Sequence, residues 1–314
     1  MSKNSVISSL IDIRNAFLVE VSIGIPANAI LLLFHILMFL LKHRPKPTDL
    51  TIGHLALIHL VMLTIIRVIA MDVFESQEQW DDITCKSVTF SYQVLRGLSL
   101  CNTSLLSVLQ AITLSPRSSW LAKFKQACTH HSLHSFFFIW VFNLSINSRL
   151  LFSIVATTNH TDRNLLLVTK SCSIWPLNYL LRHMFYTLGL FRDVSLTGLM
   201  ALSSAYMVTL LCRHKRQSQH LHGTRLSPRA SPELRATRTI LLLMGVFVLL
   251  YLTDCIVYSF SGMAWNDSVL LCIQILIGNG YATIGPLVLI SSEIGKIKFL
   301  NPFGRRKAKS LIVQ

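Results

Sequence analysis

The 314 residues are 52% hydrophobic and only 14% charged, with a mean hydropathy of +0.54. A soluble domain of this size carries about a quarter charged residues, and runs apolar enough to cross a bilayer recur along the chain, which reads as one polytopic membrane domain. The net charge of +15 does not signify nucleic-acid binding, because the basic residues fall in the short loops of one side, and seven scattered cysteines make neither a disulfide scaffold nor a zinc site.

Residues 1–15 are polar and lack the apolar core of a cleavable signal peptide. The first span, 16–41, is therefore expected to insert by itself; it contains Glu20 and, after Ile25-Pro26, Asn28. KHRPKPTD follows with Lys42, Arg44 and Lys46. Basic loops mark the cytoplasmic side, so the amino terminus is expected outside. The second span, 50–71, holds His59 and Arg67, and leads into the acidic DVFESQEQWDD, an outside loop.

The third span, 85–114, is the most polar, with Lys86, Gln93, Arg96, Asn102 and Gln110. LSPRSSWLAKFK returns Arg117, Lys123 and Lys125 to the inside. The fourth span, 135–155, carries Trp140 and Asn143. Next come an outside loop with Asn159 and Cys172, then the fifth and sixth spans, 177–212 and 239–262. Between these two lies RHKRQSQHLHGTRLSPRASPELRATR, rich in Arg and Lys with Glu233 as its one acid. The seventh span is 269–292, and a basic tail, 293–314, completes a single seven-span domain over 1–314. Alternation of charge fixes the count at seven, in an all-α bundle with the carboxy terminus inside.

Four glycosylation sequons occur, at Asn102, Asn143, Asn159 and Asn266. The first two fall within spans and the last lies close to the membrane, which leaves Asn159 as the expected glycan site. The HHSLH run (His130, His131, His134) invites a metal reading, but no acidic partner is near and interfacial anchoring is the plainer account. Cys101, Cys128, Cys255 and Cys272 read as small apolar fillers. Cys212 has either that role or, beside basic residues at a helix end, that of a palmitoylation position.

The segments GIPANAILLLFHI, KPTDL, LALIHL, FRDVSLTGLMALSSAYMVTLLCRHKRQSQHLH, LSPRASPE and RATRTILLLM resemble the vomeronasal type-1 pheromone receptors. The resemblance spans nearly the whole chain. Departures from the wider rhodopsin-like class are shared with that family. His59 stands where a sodium-binding acid is usual, and Gln110 where the arginine of the cytoplasmic triplet is usual. Tyr251 and Thr253 replace the Trp and Pro of the sixth span, and IGPLVL with Pro286 replaces Asn-Pro-x-x-Tyr.

The resemblance implies a Cys85–Cys172 disulfide, which the oxidising exterior permits. It also implies a small-molecule chemosignal as ligand, a heterotrimeric G protein as partner, membrane lipid around the bundle, no cofactor and no catalysis. Since the third and sixth spans line the cavity of such receptors, Arg96 and Asp254 are candidate partners across it. They form a structural ion pair, contact ligand directly, or reach water independently. Tyr92, Gln93, Tyr186, Phe191, Tyr258, Gln274 and Asn279 complete a mostly apolar pocket with a few polar groups, the usual make-up of a ligand site. Gln110, Arg213, Lys215, Arg216, Arg235 and Arg238 are the candidates for G-protein coupling. The rival readings are a bitter-taste receptor, a seven-pass membrane metal hydrolase and a transporter. The hydrolase needs more His and Asp at the inner helix ends than HHSLH supplies, and a transporter needs an internal repeat of broken helices that is not visible.

Overall fold

A computed structural model describes residues 3–41, 46–74, 80–116, 124–157, 166–167, 171–174, 178–221, 241–242, 245–253 and 272–291. Six helices among them are α1 (Lys3–Leu41), α2 (Pro47–Phe74), α3 (Asp82–Leu114), α4 (Phe124–Asn147), the single turn α5 (Leu150–Ser153) and α6 (Tyr179–Leu221). Residues 245–253 are also helical, and a last helix covers Cys272–Ser291. Among the described residues, six helices are long and apolar enough to cross a membrane.

Local chemistry explains the bounds. The α1 helix begins well before the apolar stretch expected at 16, since nothing in KNSVISSLIDIRN breaks a helix. Pro47 opens α2 where its missing N–H is not needed. Asp81 caps α3 by accepting from the Thr84 amide at 3.0 Å. At the other end Ser115 turns extended, as a residue before proline must, and Pro116 ends the helix. The α6 helix continues nine residues beyond the expected 212, with no proline or glycine before Gly223 to stop it. The fourth span is interrupted earlier than expected: α4 ends at Asn147, and after α5 the chain turns into strand at Ile154.

Large side chains are turned outward along α1 and α4, Leu33 and Phe138 among them, at 58% and 68% exposure. In lipid this costs nothing, and helix association rests on dispersion and polar ties instead. The packed centre is built from Met62, Leu63 and Ile66 of α2, Leu98 and Leu106 of α3, and Met200 of α6. Two glycines permit close approach. A Cβ on Gly97 would overlap Asn143 Oδ1 and lie 2.7 Å from Arg192 Nη1, and one on Gly24 would lie 2.6 Å from both Leu63 Cδ1 and Thr283 Oγ1.

The loop after α5 forms a three-stranded antiparallel sheet of β1 (Ile154–Ala156), β2 (Leu166–Leu167) and β3 (Cys172–Ile174), in the order β1-β3-β2. Ala156 pairs with Cys172 and Leu167 with Ser173.

Candidate functional site

Arg96, half-buried on α3, lines a small cavity of about 20 Å³ with Arg192 and Asp193 of α6, Tyr251 of the 245–253 segment and Tyr281 of the last helix. Four elements thus converge on one charged spot. The Arg192 Nε donates to Asp193 Oδ1 at 2.7 Å, and its Nη1 donates to Asn143 Oδ1 of α4 at 3.1 Å. Only glycine at position 97 leaves room for that second bond. Intramembrane charges are costly unless paired, and an Arg–Asp pair with an amide acceptor offsets the cost while keeping a polar face toward the cavity.

Of the expected pocket residues, Tyr92 lies one turn from Arg96 on α3, and its hydroxyl accepts from Asn279 Nδ2 of the last helix at 3.0 Å. These two polar groups therefore satisfy each other and brace the two helices. Gln93 and Gln274 are half-buried. Phe191 is 70% exposed on α6. Asp254, Tyr258 and the side chain of Tyr186 lie outside the described residues, and so does Asn159. Arg192 and Asp193 are absent from the residues that the sequence singles out, although adjacent opposite charges inside the apolar FRDVSLTGL run are an available signal.

Above this cavity in the chain's layout, the β-sheet is fastened to α3 by the Cys85–Cys172 disulfide, with a Cα–Cα distance of 5.6 Å. Asp72, the last-turn acid of α2, is buried rather than part of the acidic loop, and accepts from the Ser171 amide at 3.2 Å and the Ser171 hydroxyl at 2.5 Å. Asp82 of α3 accepts from the Ala156 amide at 2.6 Å. Both ends of the loop are thus held by carboxylates on neighbouring helices.

Below it, α3 carries a ladder of polar ties. His59, in the sodium-acid position, meets Ser99 Oγ at 2.8 Å and packs edge-on against Tyr281. Asn28 of α1 donates to the Ala282 carbonyl at 2.8 Å. Trp140 Nε1 donates to His54 Nε2 at 3.1 Å, so the His54 proton sits on Nδ1 and is given to Asn102 Oδ1 at 2.9 Å. Asn102 and Asn143 are fully buried, and both sequons serve as helix-packing groups. Nearer the carboxy-terminal end of α3, Ser107 pairs with Ser203 at 2.6 Å and Ser115 with Tyr206 at 2.9 Å, joining α3 to α6. Gln110 is buried on α3, and Arg213 and Arg216 are exposed on α6, as is Cys212. The side chain of Lys215 and residues Arg235 and Arg238 lie outside the described residues. His134 is exposed at its helix, whereas the side chains of His130 and His131 are outside the description.

The vomeronasal organ pheromone receptor family matches residues 11–301. The chain belongs to this family. Vomeronasal type-1 receptor 90 of Rattus norvegicus is 53% identical over 300 residues, covering 96% of this chain and 97% of that protein. Vomeronasal type-1 receptor 100 of the same species is 52% identical over 96% of this chain and 92% of its own length. Vomeronasal type-1 receptor 45 of Mus musculus is 52% identical over 93% and 92%. As a vomeronasal receptor the chain is a seven-helix G-protein-coupled chemosensory receptor of the cell membrane, multi-pass and not an enzyme. A bitter-taste receptor is not favoured.

Proposed function

We propose that this vomeronasal receptor takes a small, volatile or semi-volatile chemosignal in the outer half of its bundle. Its amino terminus lies outside and its basic carboxy-terminal tail inside. The Arg96–Arg192–Asp193 cavity carries the reading: it is a polar spot in an apolar bundle at the meeting point of α3, α6, the 245–253 segment and the last helix. A ligand hydroxyl, carbonyl or acid can bond there while its hydrocarbon part lies against Phe247 and Leu250. Tyr92, Gln93, Tyr186, Phe191, Asp254, Tyr258, Gln274 and Asn279 are the other ligand contacts proposed. Binding favours one arrangement of α6 and the 245–253 region over another. A heterotrimeric G protein then engages the inner ends through Gln110, Arg213, Lys215, Arg216, Arg235 and Arg238. Asn159 carries a glycan in this orientation.

The test is a reporter cell expressing the receptor, challenged with fractionated urine or skin volatiles. Arg96→Ala and Asp254→Ala should reach the surface poorly or lose the response, whereas Lys86→Ala should respond like the parent. The charge swap Arg96→Asp with Asp254→Arg should restore surface expression. Recovery of the response as well marks the pair as structural, and its continued loss marks Arg96 as a ligand contact. Normal signalling by both single variants rules out either role.

A further inference from the structure

A roomier hollow among the described residues lies elsewhere. A groove of about 550 Å³ runs between α1 and α2 on the outer face of the bundle. That volume falls within the roughly 300–1,000 Å³ of small-molecule sites, whereas the charged cavity at the bundle centre holds about 20 Å³.

The sequence builds the groove from two helical stripes. On α1 the lining recurs at three- and four-residue steps from Arg14 through Phe17, Val21 and Ile25. On α2 it runs from Arg67 through Met71 to Phe74. The Phe17 and Phe74 rings meet at 5.8 Å and set the two stripes at one level. Arg67 lies seven residues from Phe74, about 10 Å deeper along α2 at 1.5 Å per residue. Arg14 lies one turn beyond Phe17 on the opposite side. The groove therefore has a cation at one end and another about 15 Å further along the helices. At the deep end Pro26 has no N–H to give the Ser22 carbonyl, which adds an acceptor to the wall.

Among the described residues neither arginine has a carboxylate partner and no acid lines the groove. Of the acids on α1, Asp12 lies two residues before Arg14, exposed and with no ion pair to it, and Glu20 is buried with both carboxylate oxygens unpartnered, so neither neutralises the arginines. An intramembrane cation of this kind marks a site by default. A guanidinium presents a planar fork that matches a carboxylate or sulfate.

We infer that the α1–α2 groove is a second binding site, for a single-chain anionic amphiphile such as a long-chain carboxylate or alkyl sulfate. The charged group pairs with Arg67 and the chain lies along Val21, Ile25 and Met71. A bilayer phospholipid fits less well, because its phosphate stays at headgroup level and leaves Arg67 unpaired. The site is independent of the central cavity and of the receptor's orientation.

The test uses the full-length receptor in nanodiscs of neutral phosphatidylcholine, without G protein, and a palmitic acid carrying a diazirine and an alkyne. Crosslinks should fall on peptides containing residues 14–26 and 67–74. Palmitate should displace the probe and methyl palmitate should not. Arg67→Gln should weaken binding roughly ten- to a hundredfold, as expected for one lost charged hydrogen bond, and Arg67→Lys should weaken it less. Size-exclusion profiles report folding, and if Arg67→Gln does not fold, the smaller loss in Arg67→Lys and the methyl palmitate competition in the parent carry the comparison. Equal competition by methyl palmitate overturns the inference, as does labelling spread over all lipid-facing helices. Displacement by phosphatidylglycerol in preference to palmitate overturns the choice of occupant. A negative result here leaves the reporter-cell reading untouched, and failure of that assay leaves this one intact.

Discussion

The α1 and α3 helices obey opposite rules. In the most apolar 18-residue stretch of α3, 78% of residues are buried, against 28% for the more apolar α1. In water the more hydrophobic helix goes inside. In lipid the apolar helix loses nothing at the periphery, and the polar one must find partners at the centre. Asn102, Ser99, Ser107 and Tyr92 each do so, whereas Leu33, Leu40 and Leu41 need none.

The strongest way to break this contrast is Gly97→Ala. The added Cβ displaces Asn143 and Arg192, and overpacking of this kind costs about 1–3 kcal/mol. The detergent-solubilised protein should lose several degrees of thermal stability by fluorescence size exclusion, while Leu33→Ala on the lipid face of α1 should leave it unchanged. Equal effects from the two would end the contrast.

A smaller effect is expected at the His54 relay. Interhelical hydrogen bonds in membranes average about 0.6 kcal/mol and reach about 1.7. A double-mutant cycle of His54→Phe and Trp140→Phe should give a coupling in that range. A coupling of zero means that α2 and α4 pack independently.

The smallest effect belongs to the exposed end of α3. Hydrogen bonding from Thr84, side chain first and then backbone, holds the Asp81 carboxyl below its ordinary value. The folded pKa is depressed, so the cap's contribution is present above the unfolded value and is lost as pH falls through the folded one. Thermal stability of the parent relative to Asp81→Asn should decline across that acidic window. A rise instead of a decline would contradict the cap.

Composition and charge are enough to mark the membrane helices, because lipid rewards length and apolarity in a way that any sequence displays. Cys85–Cys172 follows from resemblance rather than spacing, and the structure contains it. Three features stay hidden. Asp72 opens an acidic run and reads as loop, yet α2 continues through Phe74 and buries it against Ser171. Arg192 depends on Asn143, 49 positions earlier, and such a contact exists only once α4 and α6 are packed. The α1–α2 groove needs the register of two helices, which the Phe17–Phe74 contact supplies and no single stretch of sequence does.

The fastenings of α3 differ in kind at its two ends. At its amino-terminal end a covalent bond and the carboxylates of Asp72 and Asp82 hold the sheet. Toward its carboxy-terminal end α3 meets α6 through two neutral hydroxyl pairs, Ser107–Ser203 and Ser115–Tyr206. Two such bonds are worth about 1–3 kcal/mol together, the size of a typical coupling energy between two binding sites. No binding event breaks the disulfide. The disulfide-bonded end is therefore a fixed pivot, and the α3–α6 seam a latch whose strength a bound molecule can match.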